Sequence, residues 1–188
     1  MDIKDFSLQP SDKEKIKIAV RLHTPIEITT YTLPKNMEVY INEVLSEFLK
    51  QCHQEHMIEY LKFCVGELLT NSKKANTKRV YFKEKNLDIN DPADYAVGME
   101  HFKEDTTTNI DPYLELQKKE GYYIKFSMCL QKNEIVFEIK NNALLTDFEN
   151  ERIQHKLATA QQYDNMDEVI ANVIDQSEGA GLGIIIII

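Results

Sequence analysis

The sequence predicts an α+β fold: a two-layer α/β sandwich in which helices cover one face of a mixed sheet. Three observations predict it. Ile16, Ile18, Val20 and Leu22 alternate at period two, a strand signature. From Asn36 the period becomes helical, with Val39, Ile41, Val44, Leu45, Phe48 and Leu49 recurring on one face. The strand-like segments mostly cluster instead of alternating one-to-one with helices, which favours helices laid on a single face.

In chain order, residues 1–14 read as a polar, flexible leader. The alternating run 15–22 is expected to be a strand. The β-branched run "IEITTYTL", 26–33, is expected to be a second. Pro34 punctuates, and a helix follows through about Gln51. A second helix is expected from about Gln54 to Ala75, carried by Ile58, Leu61, Val65, Leu68 and Leu69. "RVYFK", 79–83, reads as a short strand. Residues 84–120 are polar, with Asp91-Pro92 and Asp111-Pro112 as breakers. A structureless loop of that length is uncommon in a compact domain, so an insertion with some helix of its own is expected. "YYIKFSMCL" and "EIVFEIK" flank the turn "QKN", 131–133, as a hairpin. Residues 147–176 read as mostly helical and polar-faced, and "EGAGLGIIIII" ends the sequence.

A length of 188 residues favours one compact domain. The net charge of −9, with no basic block, argues against nucleic acid as a partner, because neutralising phosphates takes clustered Lys and Arg. Three cysteines, Cys52, Cys64 and Cys129, show no CxxC spacing. That argues against a disulfide framework or a thiolate zinc site and for a reducing, cytoplasmic setting. No signal pattern opens the chain, and no apolar run reaches membrane-spanning length. Cys52, His53 and His56 lie close together but lack a fourth ligand at metal spacing, so they are read as helix-end residues. "RLHTPIE", 21–27, lacks the acidic residue that normally follows a phosphoacceptor histidine, and His23 is not read as phosphorylated.

Two stretches carry chemistry. In "VGELLTNSKKAN", 65–76, Glu67, Asn71 and Lys74 recur at helical spacing along an edge of the helix's apolar face. The plain reading is an amphipathic helix whose polar edge meets water. In "GAGLG", 179–183, alternate glycines permit close backbone approach to a ligand, and N–H groups ahead of a helix can bind phosphate. The spacing is neither the dinucleotide fingerprint nor a Walker loop.

Taken together, "ELLTNSKKA" followed at long range by "GAGLG" resembles the N-box and last glycine box of the GHKL, or histidine kinase-like, ATPases. The resemblance covers about Leu33 to Ile188. "LPKNMEVYINEVLSEFLKQC" leading into "GELLTNSKKAN" is most similar to the anti-sigma serine kinases and sensor histidine kinases. The resemblance implies a Bergerat-type ATP-binding fold over 15–188, with 84–120 as an insertion and 143–178 as the ATP lid. It implies ATP and Mg²⁺ as cofactors, with Asn71 as the Mg²⁺ ligand. A hard ion held by one amide oxygen and a triphosphate suits that role. It implies Glu67 as the general base or nucleophile-orienting residue. Lys74, Gly179, Gly181, Leu182 and Gly183 would serve the phosphates. Asn141 would serve the adenine.

Asn141 is also where the sequence departs from the family. The first glycine box is Asp-x-Gly-x-Gly, and here Asn141 replaces the Asp while Ala143 and Leu145 replace both glycines. Asn still offers an acceptor oxygen.

The implied function is transfer of the ATP γ-phosphoryl to a partner protein, or to water, in signalling. Two alternatives stay open: a degenerate, inactive domain acting as a protein-interaction module, and the ATPase head of a mechanical enzyme. The implied partners are ATP and a phosphoacceptor or sigma/anti-sigma-type protein, with room for a homodimer. In the family a helix and a strand follow the last glycine box. Either the natural protein continues past Ile188 or the isoleucine tail buries itself in the sheet or a partner.

Overall fold

A computed structural model describes residues 8–160. The fold is α+β: six helices and a three-stranded antiparallel sheet among the described residues. The helices are α1 (Pro10–Leu22), α2 (Lys35–Gln51), α3 (Ile58–Glu84), α4 (Pro92–Thr108), α5 (Asp111–Lys119) and α6 (Asp147–Ala160). The strands are β1 (Ile26–Thr30), β2 (Ile124–Gln131) and β3 (Glu134–Asn141). Packing divides the chain into two compact units. Unit 1 is Met1–Ser72 with Tyr123–Asn141, and unit 2 is Lys73–Tyr122 with Asn142–Ile188.

Unit 1 holds the sheet, in the order β1-β2-β3. The expected mixed sheet is antiparallel instead: β1 and β3 both run against β2. Its register aligns Ile28, Phe126 and Ile139 in one row and Ile26, Met128 and Phe137 in the next. These rows build an apolar face on which Phe126 stacks with Phe137 at 6.3 Å. Ile41, Val44, Leu45, Phe48 and Leu49 of α2, with Val65 and Leu69 of α3, join the same core. The alternate positions carry Glu27, Lys125, Ser127, Glu138 and Lys140, and Lys125 pairs with Glu27 at 2.8 Å. One buried and one polar face is the usual economy of an antiparallel sheet. The hairpin turn is tighter than the expected 131–133: Lys132 and Asn133 take φ of 52° and 87°. Two positive φ values in a two-residue loop match the right-handed twist of the flanking strands.

The expected strand over 15–22 is helix α1, which also takes in residues 10–14 of the expected leader. Alternation was ambiguous because it also contains an i, i+4 pair. Ile16 and Val20 are buried, whereas Ile18 and Leu22 are exposed. Pro10 starts the helix, where its missing N–H costs nothing. His23 closes it in the left-handed region, and Thr24 N–H donates to the Ala19 carbonyl at 3.0 Å.

Unit 2 is built around the C-terminal part of α3. The expected strand 79–83 lies inside this 27-residue helix. Val80, Tyr81 and Phe82 are consecutive and all buried, which on a helix requires neighbours over more than half its circumference. Helices α4 and α5 provide them. Tyr81 meets Phe102 at 5.2 Å and Tyr113 at 5.7 Å, and Phe82 meets Tyr95 at 5.7 Å. Segment 84–120 is therefore largely helical and supplies much of this core. Its two Asp-Pro pairs start helices. The Asp91 carboxylate accepts from Ala93 N–H and Asp94 N–H at 2.9 and 3.0 Å, with Pro92 next in line. Gly98 of α4 is required by close approach: a Cβ there would lie 2.5 Å from Phe82 Cζ. Buried Gln117 donates to Thr77 Oγ1 at 2.8 Å. Burial and the Asp105 hydrogen bond push the Tyr81 phenol well above its usual range, and burial with Glu84 nearby raises Tyr113 to about 12.

Candidate functional site

Helix α3 begins after a 3-10 turn at Glu55–Met57 and runs through the N-box-like stretch unbroken. Val65 and Leu69 bury the side that enters the core of unit 1. At about 100° per residue, Glu67 lies nearly opposite Val65 and Leu69, and Asn71 lies beside buried Cys64 at the border of the buried side. Both are half-buried there, one turn apart. Tyr60 and Phe63, each about half exposed, extend the same stripe toward the N-terminus. Lys74, one turn past Asn71, is exposed and falls in unit 2.

Asn141 is the last residue of β3 and pairs with Ile124, which puts it in unit 1 with Glu67 and Asn71. Ala143 is half-buried, and Leu144 and Leu145 are 85% and 55% exposed. Gly179, Gly181, Leu182 and Gly183 lie outside the described residues, as does the expected lid beyond Ala160. Of the described part of that segment, 143–146 is a connection outside helix and strand, and Asp147–Ala160 is helix α6.

A second polar constellation, which the sequence reading did not single out, lies within unit 2. Glu149 is paired with Lys78 at 3.2 Å and with both terminal nitrogens of Arg79, Nη1 at 3.0 Å. All three side chains are nearly buried, at 12%, 7% and 8% exposure. Arg79 also donates to the Leu144 carbonyl through Nε at 3.1 Å and through Nη2. Thr146 N–H donates to Glu149 Oε2 at 3.1 Å, and Glu149 N–H donates to Thr146 Oγ1 at 3.2 Å. This is a reciprocal cap at the start of α6. Burial pushes the Glu149 carboxyl up, but Arg79, Lys78 and the Thr146 N–H outweigh it and hold the group at about 2. The cap was legible as "TDFE", 146–149. Lys78 and Arg79 were hidden by the strand reading of 79–83.

Beside this cluster an open groove of about 370 Å³ is lined by Pro92, Tyr95, Phe148, Glu151, Arg152 and His155. The Tyr95 hydroxyl accepts from Lys78 at 3.2 Å and from Arg152 at 3.3 Å. Among the described residues, no three His, Cys, Asp or Glu side chains are grouped to hold a metal ion. A magnesium site made of one amide and a triphosphate does not require such a group. No described helix is long and apolar enough to cross a membrane.

The chain is 48% identical over 175 residues to an uncharacterized protein of Treponema pallidum (strain Nichols), a match covering 93% of this chain and 34% of that protein. The chain thus spans about a third of that relative's length. No protein-family model and no solved structure matches the chain.

Proposed function

We propose that this chain is a nucleotide-binding domain of the histidine kinase-like type, with a Bergerat-type fold, that transfers the γ-phosphoryl of Mg·ATP to a signalling protein or to water. One observation carries the reading. Glu67 and Asn71 stand one turn apart on the side of α3 turned away from Val65 and Leu69, in the same unit as Asn141 at the end of β3. A helix that packs one side on a sheet core and offers a carboxylate and an amide on the other is suited to hold Mg²⁺ and orient a nucleophile. In this reading Asn71 would hold Mg²⁺ through its amide oxygen, and Glu67 would take the proton of the attacking hydroxyl or water. Asn141 reads the base, and the resemblance assigns the phosphates to Lys74, Gly179, Gly181, Leu182 and Gly183. The bound group supplies the electrophilic phosphorus and the Mg²⁺ charge. The protein supplies position and a base.

The test is titration with ATP, with and without Mg²⁺, of the wild type and Asn71→Ala. Support is Mg²⁺-dependent binding in the wild type, lost in the variant with the fold retained. Equal binding by both removes Asn71 from the site. No binding by the wild type favours the second reading, a domain retained for protein interaction. The substituted glycine-box positions favour that second reading, since Leu144 and Leu145 are presented to solvent there.

A further inference from the structure

Helix α6 and the connection before it carry a dense set of polar and charged contacts within unit 2. Among the described side chains, the aromatic core of that unit draws on α3, α4, α5 and their connections, and takes none from 142–155. Phe148 meets the Tyr95 ring at 6.3 Å, but Leu144 and Leu145 face solvent. The polar fastenings are denser. Asn142 donates to the Gly121 carbonyl at 3.1 Å, and Arg79 holds the Leu144 carbonyl. Glu149 joins Thr146, Lys78 and Arg79 at once. Glu149 makes both ion pairs of the strap, with the two cations nearly buried against it, while Asn142, Leu144, Phe148 and Arg152 make its other contacts.

We propose that residues 142–149 with α6 form a strap latched over Lys78 and Arg79 by Glu149, and that a multiply charged oxyanion opens it by replacing the Glu149 carboxylate on those two cations. The guanidinium fork and the ammonium suit phosphate oxygens as well as they suit a carboxylate. Taking the carboxylate away from two nearly buried cations is costly, so simple detachment of the strap is disfavoured. Exchange of one anion for another keeps both cations paired throughout and avoids that cost. Once Glu149 leaves, the cap of α6 and its two ion pairs go together, which loosens the strap around the start of α6. The strap takes in the described part of the segment expected as the ATP lid, but its latch uses neither Glu67 nor Asn71, so Asn71→Ala should leave the response to tripolyphosphate unchanged.

Hydrogen exchange on the full chain tests it, with inorganic tripolyphosphate as the probe and sodium chloride at equal ionic strength as the control. Glu149→Gln should speed exchange over 142–155 by more than tenfold and leave α4 and α5 unchanged. Tripolyphosphate should do the same to the wild type, saturably, and sodium chloride should not. If Glu149→Gln does not fold, Arg79→Lys keeps the charge but loses the fork, and should loosen the same segment. Unchanged exchange in the variants overturns the latch, as does equal acceleration throughout unit 2. No effect of tripolyphosphate, or an equal effect of sodium chloride, overturns the anion exchange.

Discussion

Adding one methyl group at Gly98 tests the packing of unit 2. The Cβ of an alanine there would lie 2.5, 2.8 and 3.0 Å from Phe82 Cζ, Cε1 and Cε2. Ordinary carbon contacts begin near 3.5 Å, so the ring has to retreat by about 1 Å. It has little room: Phe82 is 1% exposed and held by Tyr81 at 6.0 Å and Tyr95 at 5.7 Å. Overpacking of this kind costs about 1–3 kcal/mol, and a ring moved that far between two others belongs at the upper end. Glycine to alanine inside a helix returns about 1 kcal/mol. The expected net loss for Gly98→Ala is therefore about 2 kcal/mol. Phe82→Leu removes the ring edge and should make the same alanine harmless, a coupling of about 1–2 kcal/mol in a double-mutant cycle. Urea unfolding followed by circular dichroism and tyrosine fluorescence measures both, since the chain has no tryptophan. A stabilised Gly98→Ala, or additivity with Phe82→Leu, refutes the close contact between α3 and α4.

Three further outcomes are expected. Glu67→Gln should lower ATP turnover by about 10²–10⁴-fold with affinity nearly unchanged; single-turnover kinetics with a separate binding titration checks this, and equal turnover removes Glu67 as base. Asn141→Asp should tighten ATP by about five- to tenfold, as a charged acceptor exceeds a neutral one by roughly 1 kcal/mol, and should weaken GTP; competition between the two nucleotides reads it, and no change in either places Asn141 away from the base. Against burial, Arg79, Lys78 and the Thr146 N–H hold the Glu149 carboxyl at about 2, below its ordinary 4.5, so its contribution is full above pH 4.5 and is lost as pH falls through 2. Solvent reach to the carboxylate trims that contribution to about 2 kcal/mol. Acid unfolding of the wild type should show this loss below pH 4.5, and Glu149→Gln should not.

The sequence made some elements plain and hid others for definite reasons. Helix α2 was legible because Ile41, Val44, Leu45, Phe48 and Leu49 sit at unambiguous helical spacing and are all buried. The β2–β3 hairpin was legible because two β-rich runs flank a short polar turn. Helix α1 was misread because Ile16, Ile18, Val20 and Leu22 satisfy two periods, and only burial tells them apart. Val80, Tyr81 and Phe82 read as a strand because consecutive apolar residues imply burial on both sides, which three packed helices also supply. The Asp-Pro pairs read as breaks, although aspartate ahead of proline also starts helices. Of the candidate site, the spacing of Glu67 and Asn71 was visible in the chain. The Lys78–Arg79–Glu149 cluster was not, because it joins positions about 70 residues apart.

The polar face of the sheet in unit 1 bears on solubility of the chain at high concentration. Among the described strands β1 and β3 are both outermost, so each presents a row of backbone donors and acceptors that another chain's strand is able to pair with. Glu27 on one border and Glu138 and Lys140 on the other place charge along these rows. A neighbouring strand approaching either border has to bring its own backbone past those charges, an arrangement that blunts edge-to-edge stacking. Replacing all three with threonine would leave the apolar face and its register intact. It would also remove the charges that stand against pairing between copies along these borders.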